Sequence, residues 1–237
     1  MKAMILAAGL GTRFKPWTDS HPKALAIING KSLLERNIEY LQAAGIFEVV
    51  VNVHHFADQI EDAISKNKGW GSKIVISDER DVVLETRGGL MKASRWLDDD
   101  AFVLMNVDIL TGLDLLKMIA YHRQLMPLAT LATTGRKTSR YFVFDHLDDL
   151  CGWVNVNTGE EKMMRETADR RLRAFSGIHV IDPGIFSLVK FEGKFSMVDV
   201  YLSLAGSEVI KSFDHSDTSF IDVGKPEAVA QAERIFK

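Results

Sequence analysis

Only one cysteine, Cys151, occurs in the 237 residues. A lone cysteine excludes an internal disulfide and any cysteine-based zinc cluster, and it suits a reducing compartment. The stretch "DDLCGWVN" reads as a strand with Cys151 among apolar neighbours, so an inert buried thiol is expected rather than a nucleophile. Long hydrophobic runs are missing, and nothing approaches the ~20 apolar residues that span a bilayer. The first apolar run is too short for a signal peptide and reads better as a strand, so a cytoplasmic protein is expected. Charge of one sign is not in excess either. Lys and Arg number 29 against 32 Asp and Glu, a formal charge of −3. No overall basic field draws the chain to nucleic acid or to a membrane surface, so any anion site has to be local. Repeats, low-complexity tracts and linkers are also absent.

What is present is alternation. "AMILA", "FEVVVNV", "SKIVIS" and "AFVLMNVDI" read as apolar strands. Helical patterns stand between and after them: "SLLERNIEYLQAAG", "FADQIEDAISKN", "RGGLMKASRWL" and "GLDLLKMIAYHRQL". In the first of these, Leu33, Leu34, Ile38 and Leu41 share one face, Ser32 can cap the start and Gly45 stops the end. The rhythm predicts an α/β fold: one doubly wound, Rossmann-like domain with a mixed, mainly parallel central sheet. After residue 127 the texture changes to "LATLATT", "RYFVFD", "LCGWVNV" and "LRAFSGIHVI", strand-like with polar turns between. "PGIFSLV" and "MVDVYLSLAG" read as helices, and "KPEAVAQAERIFK" closes the chain as a helix with Pro226 in its first turn. Residues 1–237 are expected to form a single domain of two halves, 1–127 and 128–237.

Ligands of doubly wound sheets bind beyond the carboxyl ends of the strands. The stretch "LAAGLGTRFKPWTDSHPKAL" falls there. Its glycines let backbone come close to a ligand, and successive N–H groups can surround phosphate oxygens. Arg13 offers a planar fork for phosphate and Lys23 a mobile point charge, while Pro16 and Pro22 stiffen the segment between them. A dinucleotide fingerprint would need a third glycine and a helix at once, and a P-loop would need Gly-Lys-Ser/Thr; neither is present. A plain Gly-rich turn would not call for the Arg, the Pro and the Pro-Lys.

A Gly-rich loop ending in Gly-Thr-Arg, then a Pro, a Thr and a Pro-Lys, resembles the signature of the sugar-1-phosphate nucleotidylyltransferases. The resemblance implies a GT-A-like nucleotidyltransferase fold and an enzyme of the EC 2.7.7 class. It implies the reaction NTP + sugar 1-phosphate → NDP-sugar + pyrophosphate, with Mg²⁺ as cofactor. Residues 1–127 would be the nucleotide-binding half and 128–237 the sugar-phosphate-binding half. Arg13 would meet the β- and γ-phosphates and the leaving pyrophosphate, and Lys23 would bridge the two reacting phosphates. Leu6, Ala7, Ala8, Gly9, Gly11 and Thr12 would surround the nucleotide. "FVLMNVDIL" ends a strand with Asn106 and Asp108, and "SFIDVGKPEAVAQAE" ends another with Asp222. These resemble the family's metal-binding strand ends, so Asp108 and Asp222 would hold the ion and Asn106 would contact the nucleotide. Val107 stands where relatives usually carry Gly, and a β-branched side chain narrows the approach there. In "LETRGGLMKA", Glu85, Thr86 and Gly88 would contact the base. Glu-Thr-x-Gly-Gly, the strand "AFSGIHVIDPGIF" and the lack of a C-terminal hexapeptide-repeat domain look most like the N-acetylmuramate-1-phosphate uridylyltransferase branch. A sugar 1-phosphate is mostly dianionic near neutral pH, its second pKa lying near ~6, so its oxygen needs no general base.

The sugar pocket is open to several residues. Asn155, Glu166 and the Phe175-Ser176-Gly177 turn are the candidates, and Glu161-Lys162 competes with Glu166 for the family's Glu-Lys pair. His54 and His55 invite a metal pair, but neighbours on a strand point to opposite faces. Trp17 covers the nucleotide or simply packs. Within the enzyme class, cytidylyl-, guanylyl- and thymidylyltransferases acting on other sugar phosphates or phosphocholine compete with the uridylyl reading. Outside it stand a nucleotide-sensing module of the same fold and an NAD(P)-linked oxidoreductase. "MVDVYLSLAG" and the last helix could supply a homodimer face.

Overall fold

Apolar strands of the "VVVNV" kind need cover on both faces, and the computed structural model supplies it with two separate cores. The structure describes residues 1–80, 85–189 and 196–237, with 85–87 as backbone only. β1 (Ala3–Leu6) runs through the long loop into a small hairpin, β2 (Ile27–Ile28) and β3 (Lys31–Ser32). Then follow α1 (Leu33–Ala43), β4 (Glu48–Val53), α2 (Ala57–Lys66), β5 (Lys73–Asp78), α3 (Glu85–Ala93), β6 (Phe102–Asn106), β7 (Ile109–Thr111) and α4 (Leu115–Leu125). β5, β4, β1 and β6 pair in that order and all in parallel, Ala3 lying between Val49 and Val103.

Period-2 alternation decides which core each side chain joins. Ala3, Ile5, Val49, Val51, Val103 and Met105 pack with Leu33, Leu34, Ile38 and Leu41 of α1, Ile60 of α2 and Met118 of α4. Met4, Val50, Phe102 and Leu104 enter the other core with Leu90 and Ala93 of α3. Each large aliphatic chain so buried contributes about 1.5–3 kcal/mol. The Ser32 hydroxyl accepts the Glu35 N–H at 3.1 Å, capping α1 as its sequence predicts, and Gly45 ends it at φ 76°.

The second half adds β8 (Ala129–Thr134), β9 (Arg140–Phe144), β10 (Leu150–Asn155), β11 (Glu160–Met163), β12 (Arg171–Ile181), α5 (Ile185–Leu188), α6 (Met197–Leu204), β13 (Ile210–Asp214), β14 (Phe220–Asp222) and α7 (Glu227–Ile235). β12 joins the parallel block antiparallel, Ile178 opposite Met105. β8 and β9 each pair with β12 antiparallel, and β13 lies parallel to β8. Val200, Tyr201 and Leu204 of α6 close the second core. The result is the mixed, mainly parallel central sheet flanked by helices that the alternation predicts.

Two local expectations are corrected. Phe175-Ser176-Gly177 is not a turn: it lies inside β12, where the pairing to β8 shifts register between Phe175 and His179. Pro226 is the N-cap of α7 rather than a member of its first turn. No described helix is long and apolar enough to cross a membrane.

Candidate active site

After β1 the chain folds back over the strand ends in three short 3₁₀ turns, Thr12–Phe14, Trp17–Asp19 and Lys23–Leu25. Phe14 and Thr18 are buried, and the Thr18 hydroxyl donates to the Gly11 carbonyl at 2.9 Å. Trp17 stacks on His21 with ring centroids 4.5 Å apart and packs against the first core. These contacts pin the loop to itself and return Lys23 to the sheet edge. There Lys23 forms an ion pair with Asp108, both side chains being largely buried (14% and 13% exposed).

β7 and β14 explain how the two aspartates meet. They pair antiparallel with Asp222 opposite Ile109, and the Val223 N–H donates to the Asp108 carbonyl at 2.8 Å. Surrounding protein and the Asp108 charge push the Asp222 carboxyl above its ordinary range, while Lys23, Arg13 and Arg136 pull it down. Arg13 completes the group. A Cβ added to Gly224 would lie 2.8 Å from Asp222 Oδ1 and 3.1 Å from Arg13 Nη2. The structure therefore gathers Arg13, Lys23, Asp108 and Asp222 at one place. Two repelling carboxylates with hard oxygen donors fit a divalent cation of the Mg²⁺ kind, which takes one or two carboxylates and fills its shell with water and phosphate. Among the described residues no group of three or more His, Cys, Asp or Glu side chains stands ready for a metal.

A cavity of about 440 Å³ runs across the carboxyl ends of the parallel strands. Its floor is the chain from Leu6 through Ala7, Ala8, Gly9 and Gly11 to Thr12; Asn106, Val107, Asp108 and Lys23 line one side, Asn52 and Glu79 the other. Register sets this order, because Leu6 lies between Asn52 of β4 and Asn106 of β6. Asn52 and Glu79 were not among the sequence candidates. Asn52 Oδ1 accepts the Ala7 N–H at 2.7 Å, and its Nδ2 donates to Glu79 Oε1 at 2.9 Å. Glu79 is 2% exposed, and burial pushes its carboxyl up against the lowering effect of the Asn52 bond. The signal for both was available: a polar residue at the carboxyl end of an apolar strand, the same cue that marks Asp108. Gly88 and Gly89 stand on α3, and a Cβ on Gly89 would lie 2.6 Å from Glu79 Oε1. The side chains of Glu85 and Thr86 lie outside the described residues. Val107 lines the cavity, yet its side chain is only 4% exposed and belongs to the first core. Buried Asn37 donates to the Val107 carbonyl at 2.7 Å and fixes that turn from behind.

His54 and His55 part company: the His54 ring bonds the Glu79 carbonyl at 2.7 Å, and His55 lies against Phe56. Cys151 is buried, and burial raises its thiol, leaving it protonated and unreactive.

The candidates of the second half divide. Gly177 reaches the cleft: at φ 74°, a Cβ there would lie 2.8 Å from Asn106 Nδ2. Gly177→Ala is therefore expected to lower stability by about 1–3 kcal/mol, from strain and displacement of Asn106, as read by urea unfolding. Ser176 is buried, its hydroxyl 2.8 Å from His215 Nε2. Phe175 packs edge-on against Phe142 and His179 and acts as core. Asn155 ends β10 opposite Arg140 and accepts the Asn157 N–H at 3.1 Å, a turn contact. Glu166 is not brought to the cleft. It is exposed, and its neighbour Arg165 donates to the Glu208 carbonyl, just before β13 begins beside Ala129 at the opposite edge of the sheet. Glu161 pairs with Arg170 at 3.0 Å on the outer strand β11, and Lys162 lies 3.5 Å from Glu160.

A family model described as nucleotidyl transferase matches residues 2–236. The N-acetylmuramate alpha-1-phosphate uridylyltransferase of Caulobacter vibrioides is 45% identical over 108 residues, 45% of this chain and 45% of that protein. The protein of the same name from Neisseria meningitidis is 42% identical over 114 residues, 48% and 49% of the two chains. A UTP–glucose-1-phosphate uridylyltransferase from Synechocystis is 30% identical across 99% of this chain and 63% of its own length. The chain thus spans about half the length of the first two relatives. HddC from Yersinia pseudotuberculosis, solved in complex with GMP-PN, superposes with a TM-score of 0.80 at 26% identity, covering 100% of this chain and 99% of that one.

Proposed function

Because this chain belongs to the nucleotidyl transferase family, we propose that it joins a nucleoside triphosphate to a sugar 1-phosphate, giving an NDP-sugar and pyrophosphate. The observation that carries this reading is the convergence of Arg13, Lys23, Asp108 and Asp222 at one end of the cavity across the strand ends. UTP and N-acetylmuramate 1-phosphate are the preferred pair, on the strength of the two relatives of that name. The cytoplasm is the matching compartment, where triphosphates are supplied and a lone thiol stays reduced.

Two anions must be brought together against their repulsion. Lys23, beside Asp108, would bridge the α-phosphate and the incoming phosphate, and Arg13 would meet the leaving pyrophosphate. Asp108 and Asp222 would hold Mg²⁺, which would supply charge neutralisation on the phosphate oxygens. The chain from Leu6 to Thr12, the floor of the cavity, would carry the triphosphate, and Asn106 beside Gly177 would stand between nucleotide and sugar. A dianionic sugar phosphate attacks in line and hands no proton to the protein.

The Asn52–Glu79 corner is the base end. A carboxylate that already accepts from Asn52 favours a base presenting a ring N–H, as uracil, thymine and guanine do, over cytosine and adenine. Glu79→Gln is expected to narrow the preference for UTP over CTP, read from initial rates with each triphosphate. The same variant has a pH signature. Burial raises the folded-state pKa of Glu79, so ionising it costs more in the fold than in the unfolded chain. Stability is then lost as pH rises from the ordinary carboxyl range through that raised value. Glu79→Gln should gain stability relative to the parent between about pH 4 and pH 7.5, measured by urea unfolding at both.

The reaction itself is tested by pyrophosphate release over a matrix of UTP, CTP, GTP, ATP and dTTP against N-acetylmuramate 1-phosphate, glucose 1-phosphate, mannose 1-phosphate and phosphocholine. Divalent-dependent release with a sugar 1-phosphate supports the reading. Nucleotide binding without any release rejects it in favour of a sensing module.

A further inference from the structure

The second half carries another cavity, of about 450 Å³, lined by Thr134, Gly135, Arg136, Ser216, Thr218 and Phe220. It adjoins the aspartate pair. Phe220 stands on β14 two residues before Asp222, and the Arg136 charge acts on the Asp222 carboxyl. The surroundings of Arg136 are unusual for a guanidinium. Its central carbon sits 4.4 Å over the Phe220 ring. Nη2 donates to the Phe175 carbonyl at 2.6 Å, and Nη1 to Thr134 Oγ1 at 2.9 Å, Ser176 Oγ at 3.3 Å and the Ala174 carbonyl at 3.4 Å. Every one of these oxygens is uncharged, and among the described residues no carboxylate pairs with Arg136. Asp214, beside the cavity, is already taken by Arg173 at 2.9 Å and by the Ser216 hydroxyl.

An arginine stays charged when half-buried; its one carboxylate influence, Asp222, acts through space without forming an ion pair, so its desolvation is only partly offset. Bracing the β12 bulge would explain the two carbonyl contacts, yet a neutral donor would serve that purpose without the cost. Arg173 adds a second guanidinium behind the same wall, with Nη1 3.8 Å from the place a Gly135 Cβ would take and a buried Nε that has no hydrogen-bond partner. Three hydroxyl residues and an aromatic face complete a lining suited to a carbohydrate substituent. A monoanion suits this wall better than a dianion, because Asp222 and Asp214 stand nearby. A planar carboxylate also matches the guanidinium fork.

We propose that Arg136 is a specificity-determining residue that recognises a carboxylate borne by the sugar 1-phosphate, with the second cavity receiving that substituent; this rests on the nucleotidylyltransferase reading of the neighbouring cleft. The experiment is equilibrium binding by calorimetry with three probes: N-acetylmuramate 1-phosphate, its carboxyl methyl ester, and N-acetylglucosamine 1-phosphate, which lacks the whole lactyl group. The parent protein should bind the acid on the order of 10-fold or more tightly than the ester, the range of one charge-assisted pair. Arg136→Gln should bring acid and ester within about 2-fold of each other, and Arg136→Lys, which keeps the charge but loses the fork, should retain part of the preference. Equal binding of acid and ester by the parent overturns the proposal. So does an Arg136→Gln variant that weakens all three probes by one common factor, which is the mark of a structural brace. If Arg136→Gln does not fold, the Arg136→Lys ratio decides: a parental acid–ester ratio in that variant also counts against the proposal. Selective binding without turnover would reject the proposed reaction and leave this inference standing. Turnover of neutral sugar 1-phosphates with an acid–ester ratio of one would do the reverse.

Discussion

Asp108→Asn should reduce pyrophosphate release by at least about 10²-fold and toward 10³-fold, with the fold intact. The substitution keeps the shape of the side chain. The β7–β14 pairing runs through the Asp108 carbonyl, which accepts the Val223 N–H, and not through its carboxylate, so the strand end stays in place. What disappears is one of two carboxylates and the ion-pair partner of Lys23. On the proposed reading, a dication would lose one of its two carboxylate ligands, and Lys23 loses its ion-pair partner. Asp222 supplies a second readout. Its carboxyl is raised partly by the Asp108 charge. Removing that charge lowers the raised carboxyl, so Asp222 ionises at a lower pH than in the parent. Residual activity, followed against divalent concentration at several pH values, should rise from a lower pH onward in the variant. Parental rates at every divalent concentration would remove Asp108 from the site.

Much of this arrangement is written locally in the chain. The apolar runs of β1, β4, β5 and β6 and the amphipathic face of α1 announce a parallel block with helices packed on it, because periodicity and capping are short-range properties. The loop from Gly9 to Lys23 is legible for the same reason: glycines, two prolines and two basic residues stand within one short stretch. Asp108 and Asp222 are legible as polar ends of apolar strands. Asn52 and Glu79 carry that cue too, but each looks alone like an ordinary strand end. Only the register of β4 and β5 against β1 reveals that they flank one cavity. The second half is harder, since its antiparallel pairings are long-range and its strands are not separated by helices. Glu166 illustrates the difficulty. Its spacing from Gly177 is compatible with a sugar contact, yet β12 passes the cleft only at its bulge, and the loop that precedes it sits beside Glu208 at the other edge. Arg136 could not be singled out from "TTGRKTSR", because its meaning depends on Phe220 and on β12, both far away in the chain.

Lys23→Gln is the other large effect, and it acts on two properties at once. In the fold, Lys23 is the cation between two carboxylates: it pairs with Asp108 and holds the raised Asp222 carboxyl down. Its loss leaves both acids facing each other with Arg13 and Arg136 as the remaining relief. Because the pair is mostly but not wholly buried, about 1–3 kcal/mol of stability is expected to go with it. The pH dependence has a definite sign. Asp222 already titrates above its ordinary value, and without Lys23 it titrates higher still. A group whose folded pKa is raised favours the fold while it is protonated and costs stability as pH climbs from the unfolded value through the folded one. The Asp222 part of the deficit should therefore be smallest near pH 4, close to the value of an unfolded aspartate, and largest near neutrality, as urea unfolding at the two pH values would show. In the proposed turnover, Lys23 would meet the negative charge that accumulates between the α-phosphate and the incoming phosphate. The loss should appear in kcat, on the order of 10²–10³-fold, with a smaller change in KM for the triphosphate, whose other contacts the proposed reading assigns to the loop backbone. A variant that lost stability on this pH schedule but kept its kcat would make Lys23 a counter-ion for the two aspartates and nothing more. Loss of kcat with parental stability would mean that Arg13 and Arg136 already suffice to hold the two carboxylates apart.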